Sequence, residues 1–293
     1  MTIEPVIFLI DNGSLRPEAT LELRCLATKL SARSGKRVLP VSLLHSSKIP
    51  AIKLFGKRTQ TVKITLRRWI EAGERFFIFV PLFLGPSRAI TGYLQELIAE
   101  ACKSAPDVNV VVAPPLAGES VEVPDIRLAE ILTSHIRKTL NDNDLYTANV
   151  AVIDHGTPEK RVNQVRNAVA DQVRSLLGSD VASVTACSME RRDGAKYDFN
   201  EPLLENLGQL EGWAGSDLIV AMFFLLPGRH AGPDGDVAVI CKQLLEQSVF
   251  DSIRQTSLIG SHPLLVDILA DRLNWALNQN QPCKSQNQKN IER

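Results

Sequence analysis

The chain has 293 residues, enough for two domains of ordinary size. Hydrophobic residues make up 44% and charged residues 23%, with a formal net charge of zero, an ordinary globular composition. That balance excludes a whole-protein field able to draw the chain to nucleic acid or an anionic membrane, so an anionic ligand must be held by a local cluster of Arg and Lys. The opening MTIEPVIFLIDNGS lacks a basic segment and its apolar run stops at Asp11, so no secretory leader is expected there. No apolar stretch nears the ~20 residues that span a bilayer. The five cysteines are scattered without a CxxC pair, which reads as reduced thiols and a cytoplasmic setting.

In chain order, Val6 to Ile10 is a short apolar run without alternation, the pattern of a parallel strand covered on both faces. Asp11-Asn12-Gly13-Ser14 breaks it, and residues 17–34 read as an amphipathic helix with Pro17 in its first turn. Strands are expected at Arg37 to Leu43, Phe76 to Leu84 and Val108 to Ala113, with helices over Thr61 to Ala72, Ile90 to Cys102 and 125–140. The second half offers strands at Val150 to Ile153, Val181 to Cys187 and Leu218 to Leu226. Helices are expected from Glu159 to Leu177, Pro202 to Trp213 and Val237 to Gln247, with Arg191 to Phe199 reading as a polar insertion. Strands alternating with helices predict an α/β chain whose parallel sheets are flanked by helices.

The order of elements occurs twice. Ile10-Asp11-Asn12-Gly13 matches Ile153-Asp154-His155-Gly156, and Phe83-Leu84-Gly85-Pro86-Ser87-Arg88-Ala89 matches Phe224-Leu225-Leu226-Pro227-Gly228-Arg229-His230. Leu116-Ala117-Gly118 with Asp125-Ile126 matches Leu258-Ile259-Gly260 with Asp267-Ile268. Three patterns in one order at offsets of 141–143 residues indicate a duplication. The predicted division is a degenerate copy over 1–144, a copy carrying the site over 145–277, and a disordered polar tail over 278–293.

His155 and His230 each follow a buried strand of the second copy. In open α/β sheets ligands bind beyond the carboxyl ends of the strands, so neighbouring strands would bring both imidazoles to one rim. Two neutral imidazoles there could bind a divalent first-row metal, or one could take a proton while the other holds the metal. A lone histidine in such a loop is usually just a loop residue. Here the first copy has Asn12 and Ala89 at the matching positions, so the fold itself does not require histidine there.

Asp154-His155-Gly156-Thr157-Pro158 resembles the strand-end "GHGS" motif of the CbiX/SirB-type sirohydrochlorin chelatases, within the class II chelatases. Leu225-Leu226-Pro227-Gly228-Arg229-His230 resembles their "PLFL-x-x-G-x-H" motif. In the first copy, Asp11-Asn12-Gly13-Ser14 with Arg16-Pro17-Glu18-Ala19 looks like the "HGSR-x-P-E-A" start with Asn for His, and Pro81-Leu82-Phe83-Leu84 looks like the strand motif. The stretch Leu258 to Pro263 is similar to a later family signature.

The resemblance implies insertion of Fe²⁺ or Co²⁺ into sirohydrochlorin on the way to sirohaem or a corrinoid, with the metal as substrate and no permanently bound cofactor. It places His155 and His230 as catalytic and metal-binding residues. Glu190 takes the acidic role, with Glu201 as a rival and Leu44 as its counterpart in the first copy. His45, beside Leu44, is not expected to be a ligand. Substrate carboxylates call for Arg, and Arg161, Arg191 and Arg229 are the candidates, with Lys160, Arg192 and Lys196 nearby in sequence. Asp234 and Asp236 read either as partners of His230 or as caps of the following helix. The expected partner is a tetrapyrrole, with no nucleic acid and no membrane, and the chain as monomer or homodimer. Two alternatives remain: a non-catalytic tetrapyrrole or metal carrier, and an unrelated two-domain periplasmic-type binding protein, against which the absence of a leader argues.

Overall fold

A computed structural model describes residues 4–145 and 147–279. The tail expected to be disordered lies, from 280 onward, outside the described residues. Two four-stranded parallel sheets are present. The first is built from β1 (Val6–Asp11), β2 (Val38–Ser42), β3 (Phe76–Pro81) and β4 (Asn109–Val112), in the order β2-β1-β3-β4. The second is built from β5 (Asn149–Asp154), β6 (Ser183–Ser188), β7 (Asp217–Met222) and β8 (Ser252–Gln255), in the order β6-β5-β7-β8. The same order in both sheets gives the duplication read from the sequence its structural form.

The helices are α1 (Pro17–Ser34), α2 (Val62–Glu71), α3 (Leu94–Ser104), α4 (Arg127–Asp142), α5 (Lys160–Leu177), α6 (Asp236–Glu246) and α7 (Leu264–Leu277). Contacts gather the chain into two compact units. One comprises residues up to Pro115 with those from Val266 onward, the other Leu116–Leu265. Thus α4, which the sequence repeat assigns to the first copy, packs on α5 and β7 in the second unit. The polar stretch Asn141 to Asp144 is the end of α4 and the turn after it, with Asp144 at φ 53°.

The central strands are apolar along their length because both faces are covered. Every residue of β5 is buried, as are Ile7 to Asp11 of β1. α1 starts with Pro17, whose missing N–H is no loss in a first turn, and stops at left-handed Gly35. α1 and α5 both run for 18 residues at an offset of 143, so positions in the two copies can be equated residue by residue.

Several expectations need correction. The apolar runs at Phe76 to Leu84 and Leu218 to Leu226 pair as strands only to Pro81 and Met222. Their remainders turn away beyond the ends of the central strands and form the connections that carry Ala89 and His230. Ala89–Tyr93 is a π-helical turn leading into α3. The expected helix over Pro202 to Trp213 is instead a 3-10 segment, Leu204–Gln209, anchored by buried Leu204 and Leu207. Pro202 and Leu203 are held extended against the end of β6, the Pro202 carbonyl accepting the Ser188 N–H at 3.1 Å.

The polar stretch after Glu190 is not an insertion. Ser42 bridges Thr61 and Ser188 bridges Leu203, so the first copy has the longer connection. β8 and α7 are additions to the expected elements; in β8 only Ile253 is fully buried, which leaves no apolar run to read. Cys25, Cys187 and Cys241 are free thiols, whereas Cys102 is disulfide-bonded, against the expectation of reduced thiols throughout. Among the described residues no helix is long and apolar enough to cross a membrane.

Candidate metal centre

The site forms at the carboxyl edge of the second sheet, where β5, β6 and β7 end at Asp154, Ser188 and Met222. His155 follows β5 directly. Its backbone carbonyl accepts the Glu190 N–H at 3.2 Å, continuing the ladder between the β5 and β6 ends. This pairing brings the two side chains together, with His155 Nε2 3.1 Å from Glu190 Oε1. His230 arrives from the connection after β7, and its ring centroid lies 4.3 Å from that of His155, tilted by 44°. The three residues expected at the centre therefore converge, and all are partly open to solvent, Glu190 most at 60%.

Gly156 makes this close approach possible. It sits at φ 91°, and a Cβ there would stand 1.8 Å from the Glu190 carbonyl oxygen. Gly13 of the first copy is at φ 88°, with its virtual Cβ 1.8 Å from the Leu44 oxygen. The coincidence fixes Leu44 as the counterpart of Glu190. At its own strand ends the first copy therefore presents Asn12, Leu44 and Ala89, where the second presents His155, Glu190 and His230.

Hydrogen bonds orient both rings. His230 Nδ1 lies 2.6 Å from Asp236 Oδ2, an acceptor, so Nδ1 carries the proton and Nε2 is left with its lone pair when the ring is neutral. Asp236 is also the first residue of α6, which joins the partner and cap readings of this residue. His155 Nδ1 faces the Gly156 carbonyl at 3.1 Å while Nε2 faces Glu190. Both nitrogens of that ring meet acceptors, so the arrangement suits a ring protonated on both, or a cation in place of the Nε2 proton. Among the described residues no group of three or more His, Cys, Asp or Glu side chains forms a ready metal cage. The arrangement is an open pair of imidazoles with one carboxylate at its edge. Cys187 and Cys241 supply no thiolate, because burial pushes both thiols up, Cys241 to about 12.

The candidate arginines fare differently. Arg191 is engaged within its own segment, with Nε 2.7 Å from Glu201 Oε1 and Nη1 3.0 Å from Asp198. Glu201 is thereby occupied as well, and its other oxygen accepts the Leu203 N–H at 3.0 Å. Arg161 is exposed in the first turn of α5, and Arg229 is 80% exposed with Nε 3.5 Å from Asp236. Lys196 and Arg192 lie over the Tyr197 ring, at 4.9 and 5.9 Å from its centroid. His45 is exposed in the first unit, in a turn where its φ is 60°. The Leu258 to Pro263 stretch braces the connection after β7, Gly260 donating to the Leu225 carbonyl at 3.0 Å. His262 lies there against His135 of α4, centroids 5.5 Å apart.

Sequence reasoning missed the support beneath the site. Asn200, fully buried, holds the Thr157 backbone at both ends, accepting its N–H and donating to its carbonyl, each at 3.0 Å. Asp154, Ser188 and Arg166 form a buried network below His155. The first copy keeps the acid and the serine as Asp11 and Ser42, opposite each other across β1 and β2, but has Leu23 where Arg166 stands. Without a cation, burial pushes the Asp11 carboxyl up to about 6, against smaller lowering by Ser42 and the Gly13 backbone.

A buried acid whose folded pKa is raised weighs on stability above that pKa and not below the unfolded value. Asp11→Asn should therefore gain stability relative to the native chain as pH rises from 4 to 8, by on the order of 2 kcal/mol. Thermal midpoints at both pH values check this, and a mutant-to-native difference independent of pH would contradict it.

Known proteins share both the fold and the half that carries the site. Residues 149–276 match the model of the CbiX family. No curated protein matches the chain in sequence. Among solved structures, SirB from Bacillus subtilis with Fe³⁺ superposes with a TM-score of 0.66 at 14% identity, covering 93% of this chain and 95% of that one. The sirohydrochlorin chelatase SirB from Bacillus subtilis subspecies spizizenii, in complex with cobalt, gives 0.64 at 14% identity, covering 94% and 96%. CbiX, described as the terminal enzyme for biosynthesis of siroheme in denitrifying bacteria, gives 0.58 at 13% identity, covering 93% and 99%. At such identities these three show a shared fold. The match over 149–276 covers the part of the chain that holds His155, Glu190 and His230, so it is the copy carrying the site that is similar to the CbiX family.

Proposed function

We propose that the chain inserts a divalent metal, Fe²⁺ or Co²⁺, into sirohydrochlorin or a closely related tetrapyrrole, using His155, Glu190 and His230. The observation that carries this reading is the convergence of two imidazoles and a carboxylate in one copy of a duplicated fold whose other copy has Asn12, Leu44 and Ala89 there. The match of residues 149–276 to the CbiX family supports it, as do the two SirB structures of the same fold, one with Fe³⁺ and one with cobalt.

Insertion requires a partly dehydrated M²⁺ and removal of two protons from pyrrole nitrogens. His230, fixed by Asp236, offers Nε2 to the incoming metal. The His155–Glu190 pair is a proton acceptor of adjustable occupancy, since loss of the proton between Nε2 and Oε1 leaves two adjacent lone pairs. As the metal passes to the macrocycle, the deprotonated His155–Glu190 pair takes one displaced proton and the vacated His230 Nε2 takes the other. Exposed Arg161 and Arg229, with Arg192 and Lys196, are proposed to meet the substrate carboxylates. Arg191 is proposed to serve them indirectly, by shaping its segment through Asp198 and Glu201. A cytoplasmic setting belongs to the same proposal. The free thiols support it, and the disulfide at Cys102 counts against it.

The test is an absorbance time course of the purified chain with sirohydrochlorin and Co²⁺ or Fe²⁺ under anaerobic conditions. The spectral change of metal insertion, faster than the uncatalysed rate, is expected. A stoichiometric binding shift without turnover would replace this reading with that of a carrier.

A further inference from the structure

We infer that Arg166, a buried cation on α5 that does not reach the rim, is a positioning residue that holds His155 and Glu190 together. This rests on the proposed function for its consequence in turnover, but not for its geometry. Arg166 is 1% exposed, the largest fully buried side chain among the described residues. An ion is costly to bury unless it is paired and hydrogen-bonded, so its retention needs a reason. Its Nε donates to Asn167 Oδ1 at 2.9 Å, and its Nη1 donates to Ser188 Oγ at 2.9 Å. The same Nη1 lies 3.5 Å from Asp154 Oδ1.

Those partners are the last residues of two neighbouring strands. Asp154 ends β5 and is followed by His155; Ser188 ends β6 and stands two residues before Glu190. Ser188 Oγ donates to Asp154 Oδ1 at 2.8 Å, and the same oxygen accepts the Gly156 N–H at 3.1 Å. One guanidinium thus clamps both strand ends from below, and the carboxylate it neutralises also fixes the turn at Gly156. The distance between His155 and Glu190 depends on where these two strand ends sit.

The duplication supplies the comparison. Asp11, Ser42 and Gly13 repeat Asp154, Ser188 and Gly156, with the two glycines equally close to the neighbouring carbonyl. The fold is therefore formed without the arginine, since Leu23 fills its place and is itself buried. The cation is present only beneath the copy whose rim carries His155 and Glu190. A requirement of the fold alone would call for it in both.

The test uses the full chain with Arg166→Leu, Arg166→Lys, and Arg166→Leu combined with Asp154→Asn. The double variant removes the buried charge together with its partner, so it is expected to keep a thermal midpoint near that of the native chain. Its kcat for metal insertion should nevertheless fall by about tenfold or more with KM for the tetrapyrrole held within about twofold, the scale of losing an orienting partner behind a ligand. Arg166→Lys, which retains a donor toward Ser188, should recover part of the rate. Native kcat in the double variant would overturn the inference and reduce Arg166 to charge balance. If the native chain inserts neither metal, the proposed function fails, and a crystal structure of the double variant decides the inference. There, His155 Nε2 and Glu190 Oε1 should move out of hydrogen-bond reach. Their remaining at the native 3.1 Å would overturn it.

Discussion

Alanine at His155 or at His230 is expected to lower the rate of metal insertion by on the order of a hundredfold or more, with the fold intact. The two rings act differently, so the two losses should differ in kind. His230 has its Nδ1 proton held by Asp236 and so presents Nε2 as a fixed donor, making His230→Ala mainly a loss of metal affinity. Raising the Co²⁺ concentration should recover part of its rate. His155 has acceptors at both nitrogens and shares Nε2 with Glu190, making His155→Ala mainly a loss of proton transfer. Excess metal should recover little there. Both side chains are partly exposed and neither fills the core, so thermal midpoints should move by no more than a few degrees. Asn12→Ala and Ala89→Val, at the matching rim of the first copy, should leave insertion unchanged. Steady-state rates over a metal titration check all four variants. Native rates in the combined His155→Ala and His230→Ala chain would remove the proposed function.

Much of the fold and the centre of the site is legible in the amino-acid sequence. Short apolar runs without alternation locate the central strands, because burial on both faces leaves no polar position. The repeat at a nearly constant offset places the histidines at strand ends and shows that the fold does not require them. What escapes has physical causes. Arg166 lies in a helix whose sequence, KRVNQVRNAVADQVRSLL, alternates polar and apolar residues, and nothing local separates a buried arginine from an exposed one. Its meaning depends on Ser188 and Asp154, which are distant in sequence. Arg191 reads as a free cation because its partners Asp198 and Glu201 meet it only through the fold of the segment. The expected helix over 202–213 fails because Pro202 and Leu203 pair with the end of β6. Gly208 then packs on Val249, so close that an added Cβ would stand 2.3 Å from Val249 Cγ1. Tertiary pairing there overrides an apolar spacing that suits a helix.

The two glycines at the rims separate stability from function. Gly156→Ala places a methyl group 1.8 Å from the Glu190 carbonyl, at a φ of 91° that side chains rarely adopt. The neighbour is backbone and cannot swing aside, so either the turn at His155 or the segment at Glu190 must move. Strained backbone and displaced pairing together should cost about 3 kcal/mol, with a fall in thermal midpoint of roughly 6–12 °C. Gly13→Ala meets the Leu44 carbonyl at the same 1.8 Å and a φ of 88°, so its stability loss should be similar. The functional consequences should diverge. Well below both midpoints, Gly156→Ala should lose insertion by about tenfold or more, because the shift separates His155 Nε2 from Glu190 Oε1. Gly13→Ala should retain it, because of the residues it displaces Asn12 has no titratable group and is a poor ligand for such a metal, and Leu44 has no ligand atom. Equal losses of activity in the two variants would mean that the first rim contributes to the reaction, and the division of labour between the copies would have to be redrawn.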